Sequence, residues 1–509
     1  MRAGLRLGGW SIGIRTPYQF VGVANISEGK RPMYQQEQSH DVAGRGLGVA
    51  TFVIALARFI VVLDGTIMIV ALPSIQNSLH ITLSNLNWVI NSYALTFGGL
   101  MLVAGRAGDR YGRKSVFRVG LVLFGAASLA GGLATDGATL IACRAVQGIG
   151  AALATPGALS LLVSTFPEGR ARSKALGLYG AATALAAVLG LLAGGVLTTY
   201  VGWRWVLFVN VPIVLAILLG VGRLVEPALE RIRIDIPGAL AGTLGVGALI
   251  FGVNRVGEHG WSDAIVTACL AGAVVLLILF VIAQRTSPAP MIPREVLTDP
   301  GRVGANVVTF IQSAGMFTTY FFLTLYMQDV LGYSALRTGL MYLPFAVGSG
   351  LGAGGIGPRL LSRLPERAAL SAGLLVAAAG TGWLCLLTPD SSIFTVLIPA
   401  SVVTGAGIGI VATTATSIGV RGIDSSEAGI GSAMLTAGGQ VGGALGLAVL
   451  ATVAATTTRH AAAGGHTMRE ALTTGYLAGF AIAVGLYLLC VLITFLTVRP
   501  ATAARAAAG

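Results

Sequence analysis

Fourteen times between residues 48 and 498 the chain runs for about 20 residues or more with almost no charge, the length an α-helix needs to cross a lipid bilayer. The segments are 48–72, 84–104, 115–135, 138–165, 174–198, 203–222, 236–255, 264–284, 304–328, 335–357, 367–388, 392–414, 427–456 and 475–498. Hydrocarbon offers backbone amides no water, so runs of this kind fold as helices that satisfy their own hydrogen bonds. The expected fold class is an all-α polytopic membrane protein. Composition agrees: hydrophobic residues make up 55% and charged residues only 10%, against about 25% charged in a soluble domain. Glycine is abundant, 72 of 509 residues, and small residues let membrane helices approach closely.

An even number of crossings puts both termini on one side, and charge says which. With basic residues no more than three positions inside a segment end counted with the adjoining loop, the two tails and the loops after even-numbered segments hold 26 of the 33 Lys and Arg; loops after odd-numbered segments hold 5, and Arg58 and Arg144 lie deeper within segments. By the positive-inside rule both termini are expected in the cytoplasm. The net charge of +13 therefore reads as a topology signal; no clustered basic patch accompanies a nucleic-acid-binding pattern. Residues 1–45 contain no apolar run of signal-peptide kind, and Met33 is a second plausible start. Cys143, Cys269, Cys385 and Cys490 sit inside apolar segments without metal-ligand or CxxC spacing, so they read as core residues.

Two Pro- and charge-rich breaks, 223–235 and 284–302, divide the chain. The expected organisation is a tail (1–47), a six-helix bundle (48–222), linkers around a two-helix insert (223–303), a second six-helix bundle (304–498) and a tail (499–509). The basic loop GRAGDRYGRKSVF (105–117) has a weaker echo, GPRLLSRLPER (357–367), at the matching place in the second half. Two related halves are a transporter pattern, with the substrate site expected near the midplane between them.

Asp64, within VVLDGTIMIVALPSI (61–75), is the carboxylate placed deepest in an apolar run. A charge there costs about 2.5–3.5 kcal/mol to insert, so it should face protein or a cavity. Burial disfavours the charged form of a carboxyl, which makes Asp64 a group able to load and unload a proton. The plainer alternative is a packing carboxylate bonded to a hydroxyl such as Thr66. Arg144, on the outer half of the fourth segment, is a second buried charge that Asp64 could answer, with snorkelling to the cytoplasm as its alternative. Arg58 lies six residues before Asp64, about 120° away around a helix, and has no evident partner. In the loop 105–117, Gly105 and Gly112 would permit a tight turn, and Asp109 sits among Arg106, Arg110, Arg113 and Lys114. That arrangement suits an ion-pair network that forms in one conformation and breaks in another, or else a basic anchor carrying an incidental acid.

These residues carry a resemblance. GRAGDRYGRK resembles the hallmark loop of the major facilitator superfamily, G-x-L-x-D-R-x-G-R-K, and LDGTIMIVALP resembles the first-helix motif of its fourteen-helix drug:proton antiporter family. RAVQGIGAA (144–152), WRWVLFVNVP (203–212) and LYMQDVLGYSALRTGLMYLP (325–344) are similar to that family's fourth-helix, sixth-helix and ninth-to-tenth-helix motifs, so the likeness spans residues 50–450. Two positions depart: Ala107 stands where the loop motif has Leu, and Leu191 in LGLLAGG (189–195) takes the place of the proline in the fifth-helix antiporter motif, a marker of export. Gly190, Gly194 and Gly195 remain, and they allow close helix contact.

The resemblance implies two six-helix bundles plus a two-helix insert. It implies proton exchange at Asp64 with Arg144 in the relay, and a cytoplasmic gate made by Gly105, Asp109, Arg110, Gly112, Arg113 and Lys114. Polar candidates for a mostly apolar cavity are Asn91, Tyr93, Gln147, Asn210, Tyr320 and Gln440, each of which could instead make a helix-helix hydrogen bond. The expected activity is proton-coupled efflux of lipophilic antibiotics or similar compounds across the cell membrane, neutral, zwitterionic or singly charged because Asp64 stands alone as an acid in the core. A proton symporter of a small metabolite and a non-transporting receptor or scaffold are the alternatives. An enzyme is disfavoured: no metal cluster, phosphate-binding loop or nucleophile triad is visible, and His40, His80, His259, His460 and His466 fall outside the segments. No cofactor or nucleic acid is expected, and the partners are substrate, protons and the bilayer, with the chain acting as a monomer.

Overall fold

The computed structural model describes residues 33–166, 170–226, 235–287, 290, 299–419 and 428–498. The chain divides into two units, Met1–Arg45 and Gly46–Gly509, and the second holds all the membrane-spanning segments. Both tails, up to residue 32 and from residue 499, and most of the two linkers lie outside the described residues.

Every apolar segment is a helix. In order they are α1 (Met33–Leu79), α2 (Trp88–Tyr111), α3 (Arg113–Gly132), α4 (Gly137–Thr165) and α5 (Arg170–Tyr200). Next come α6 (Trp205–Arg223), α7 (Ile236–His259), α8 (Ala264–Thr286), α9 (Pro300–Val330) and α10 (Ala335–Arg363). The last four are α11 (Glu366–Leu384), α12 (Ile393–Gly419), α13 (Ala428–Ala463) and α14 (Met468–Thr497). Among the described residues thirteen are long and apolar enough to cross a membrane, and α5 adds a shorter apolar stretch, Leu185–Tyr200.

Short polar residues start several of these helices by supplying acceptors to first-turn amides. Asp136 accepts from the Thr139 amide at 2.9 Å, Ser334 from Arg337 at 3.2 Å, and Asp299 from Arg302 at 2.8 Å with Pro300 following in the first turn. Thr467 and Glu470 form a capping box on α14. Asp263 caps α8 and also takes both arms of Arg255 at 3.1 and 3.0 Å, closing the α7–α8 hairpin. That pairing holds its carboxyl down at about 2.

Where glycines face a neighbour, helices pack backbone to backbone. A Cβ at Gly348 or Gly352 of α10 would overlap α12 carbonyls, and one at Gly405 or Gly409 of α12 would overlap α10. On α5 the same logic works twice. Gly190 and Gly194 admit Thr66 and Ile67 of α1, and Gly195 lies against Ala335 and Leu336 of α10, while Gly339 of α10 lies against the Leu191 carbonyl. Leu191 is buried and keeps the amide that a proline would lack, so α5 runs unbroken.

The two six-helix sets meet at the end opposite the basic loop. There α5 packs on α10, the Leu336 amide donates to Thr199 Oγ1 at 3.1 Å, and Gln328 Nε2 donates to the Val70 carbonyl at 3.0 Å. Contact continues inward along α2 and α13 to Gly98, whose Cα faces Gln440 and Ala437. The insert helix α7 seals this seam, because it packs on both α2 and α13. Asn87 Nδ2 donates to Asn254 Oδ1 at 3.1 Å with both residues buried, and Thr452 Oγ1 donates to the Val253 carbonyl at 3.2 Å. Its companion α8 packs on α7 and exposes Val274, Val275, Ile278, Leu279, Val281 and Ile282, as a lipid-facing helix does.

One expectation needs correction. The loop 105–117 is almost entirely helical, since α2 continues to Tyr111 and α3 begins at Arg113. Gly112 alone makes the turn, at φ +99°, a conformation that a Cβ disfavours. Gly105 sits inside α2 and faces Pro156 of α4, so it serves packing and not the turn. The echo 357–367 is likewise helical over Gly357–Arg363.

Candidate functional site

Asp64 and Arg144 find each other from helices 80 residues apart in sequence. Asp64 is 0% and Arg144 2% exposed, and Arg144 Nη1 lies 2.6 Å from Asp64 Oδ2. Oδ1 accepts from Gln147 Nε2 at 2.6 Å and Asn210 Nδ2 at 2.8 Å. A carboxylate only accepts, so both amides must turn their NH2 groups toward it. The Gln147 carbonyl oxygen then faces Arg144 Nη1, at 2.6 Å. Ser128 Oγ, on α3, ties the amides together from behind, 2.7 Å from Gln147 Nε2 and 3.2 Å from Asn210 Nδ2.

Helix geometry explains how one arginine and one glutamine serve one acid. Arg144 and Gln147 stand three residues apart on α4 and so share a face. Arg144 has two further supports. Its Nε donates to the Val89 carbonyl at 3.1 Å, near the start of α2, and its guanidinium lies over the Tyr93 ring, 4.4 Å from the centroid. A buried ion pair balances desolvation against attraction only when its spare hydrogen-bonding positions are filled, and here Gln147 and Asn210 bond Asp64 Oδ1 while Val89 and Gln147 bond Arg144 Nε and Nη1. Asp64 does not lean on Thr66, whose hydroxyl donates instead to the Val62 and Leu63 carbonyls and, at 3.4 Å, to the Ala186 carbonyl on α5.

Of the residues singled out in the sequence, Asp64, Arg144, Gln147, Asn210 and Tyr93 thus share one cluster. The others stand apart. Asn91 is fully buried on α2, and neither amide atom has a hydrogen-bond partner among the described residues. Tyr320 is in an aromatic group on α9 and α10, 4.8 Å from the Phe345 centroid and 5.7 Å from that of Tyr342, whose hydroxyl donates to the Tyr320 carbonyl at 2.7 Å. Gln440 packs at the α2–α13 seam. Arg58 belongs to the α1–α5 contact: its Nε donates to Thr183 Oγ1 at 3.1 Å and its guanidinium lies 5.6 Å from the Tyr179 ring centroid.

At the opposite end of the bundle, Asp109 Oδ1 pairs with Arg113 Nε at 2.7 Å across the Gly112 turn. Lys114 Nζ donates to the Gly222 and Leu224 carbonyls at 3.1 and 2.9 Å. The Arg110 guanidinium lies 5.4 Å from the Tyr111 ring centroid. No group of three or more metal-ligating side chains occurs among the described residues.

Residues 54–447 match the Major Facilitator Superfamily. The chain belongs to the major facilitator superfamily. It is a membrane transporter, as the members of this superfamily are, and not an enzyme. Its superfamily relatives include the puromycin resistance protein pur8 of Streptomyces alboniger, 39% identical over 461 residues, which span 89% of this chain and 91% of that one. The cephamycin export protein CmcT of Amycolatopsis lactamdurans is 39% identical over 402 residues, covering 78% of this chain and 83% of its own. In solved structures the superfamily fold recurs at low sequence identity. A bacterial homologue of the human lysosomal transporter Spinster superposes with a TM-score of 0.59 at 17% identity, covering 90% of this chain and 97% of that one.

Proposed function

We propose that this chain is a proton-driven exporter of lipophilic small molecules, antibiotics among them, working as a monomer in the cell membrane with both termini in the cytoplasm. The observation that carries the reading is the buried Asp64–Arg144 pair and its amide frame. The names of the relatives, resistance to puromycin and export of cephamycin, support the direction and the cargo. Protonation would neutralise Asp64 and release Arg144 from its only charged partner in the frame. Val89, Gln147 and the Tyr93 ring remain to hold the guanidinium, so the frame can exist in two charge states without leaving a bare buried cation. In this orientation the closed α5–α10 end faces outward and the Asp109–Arg113 turn faces the cytoplasm.

The direct test uses energised inside-out vesicles carrying the protein. Adding substrate should drive protons out of the lumen as drug enters. A lumen that acidifies on drug addition would mean symport, and unchanged pH would mean no proton coupling. Orientation has its own check. Reporter fusions at Lys174 and Arg231 are expected to read cytoplasmic, and those at Gly260 and Gly465, both turn glycines with positive φ, external. A cytoplasmic signal at Gly260 would remove the two-helix insert from the membrane.

For the gate, Asp109→Asn is expected to leave the protein inserted yet slow transport strongly. Losing the carboxylate frees Arg113 across the turn that has to reorganise between conformations. Near-normal transport at equal expression would reduce the motif to a basic anchor.

A further inference from the structure

Unlike α4, α8, α9, α10 and α14, helix α3 begins on a residue with no side chain. Gly112 stands at its N-cap and offers no side-chain acceptor. The missing acceptor comes from 112 residues further on. Glu226, three residues past the end of α6, receives the Lys114 amide on both carboxylate oxygens, each at 3.2 Å. A carboxylate at a helix N-terminus also meets the positive end of the helix dipole. Lys114 Nζ grips the same segment through Gly222 and Leu224. Behind it, Ser164 Oγ donates to the Val225 carbonyl at 3.2 Å and the Val225 amide donates to Thr165 Oγ1 at 3.1 Å. On the other flank Arg106 Nη2 donates to the Pro290 carbonyl at 2.6 Å. The helix ends on either side of the turn thus hold Gly222–Glu226 before the insert and Pro290 after it.

We infer that Gly222–Glu226 is the dock of the α2–α3 turn while the α5–α10 end is closed, with Glu226 as the residue that positions it. When the closed end opens, the turn leaves this dock. Glu226 is exposed, so its bonds are made at a water-accessible surface and are cheap to break, as a switching contact requires. This inference deepens the proposed Asp109 gate and rests on it.

Ser115 is the place to test it, because its hydroxyl and the Glu226 carboxylate both lie 3.5 Å from where a Gly112 Cβ would stand, and it leaves Asp109, Arg113 and Lys114 intact. Ser115→Cys with Glu226→Cys, in a background lacking the native cysteines that still transports, would be cross-linked by oxidation. Transport should stop and return on reduction; a fully cross-linked carrier that transports at the reduced rate would overturn the dock. The second measurement is labelling of Ala335→Cys, buried at the closed end where Gly195 lies against it, by a membrane-impermeant maleimide. Glu226→Ala should label about fivefold faster, the effect of losing one capping acceptor, with Glu226→Asp restoring the slow rate. Equal rates in all three would leave Glu226 a static cap and overturn the inference. If cross-linking leaves transport intact while Asp109→Asn abolishes it, the dock fails and the gate stands; if neither matters, the gate itself fails.

Discussion

Asp64→Asn is expected to abolish uphill export while leaving the protein folded. The amide has nearly the shape of the carboxyl and can still accept from Arg144, but it holds one charge state permanently. A proton entering down an inward-negative potential supplies about 2.3 kcal/mol per 100 mV, and a carrier that cannot exchange that proton has nothing to couple to drug movement. Substrate binding and downhill exchange survive this loss in principle, so the variant separates coupling from recognition. In the inside-out vesicle assay it should show neither drug accumulation nor substrate-driven proton release. Asp64→Glu keeps a titratable group and should keep part of the activity. An Asn variant that pumps like wild type would make Asp64 a packing residue and move the coupling elsewhere.

Removing Arg144's charge should do more damage than removing both charges of the pair. Arg144→Met keeps much of the side chain's length, yet strands a carboxylate that is 0% exposed. Breaking a buried pair from one side costs about 3–5 kcal/mol, whereas replacing both partners by neutral groups is often close to neutral. Thermal unfolding of the purified protein should therefore rank wild type near Asp64→Asn/Arg144→Met, with Arg144→Met well below. Transport should be absent from both variants, since the double variant mends the fold without restoring the proton carrier. Equal melting of the single and double variants would show that the two charges are not energetically joined.

The helices were legible because a lipid-crossing segment must announce itself as a long apolar run. Side chains that break such a run announce themselves as well, which is why Asp64, Arg144, Gln147 and Asn210 could be singled out before their geometry was known. Ser128 gave no such sign. A helical serine can satisfy its hydroxyl on its own helix, so nothing in the sequence marks this one as the post behind two amides. Arg58 was visible as an oddity, but its partner Thr183 lies 125 residues away, a distance that no local pattern bridges. Gly105 and Gly112 look alike in the sequence because glycine serves both tight turns and close packing; only the positive φ of Gly112 and the Pro156 contact of Gly105 tell them apart. Glu226 was hidden for a related reason: a helix cap is sought next to the helix, not beyond three further ones.

The hydrogen bond between Asn87 and Asn254 also has a meaning for how the protein is made. Chains enter the membrane from the N-terminus onward, so α2 is in place when α7 emerges, and α13 does not yet exist. An asparagine in lipid is costly while its amide lacks a partner, and Asn254 arrives to find Asn87 Nδ2 already waiting at the start of α2 for its Oδ1, although its own Nδ2 has no hydrogen-bond partner among the described residues. The following helix, α8, is the most apolar of the spans among the described residues and holds the hairpin in the bilayer without help from the second half. The insert thus covers Asn87 on the half-finished molecule, long before α13 arrives to bring Thr452 against it.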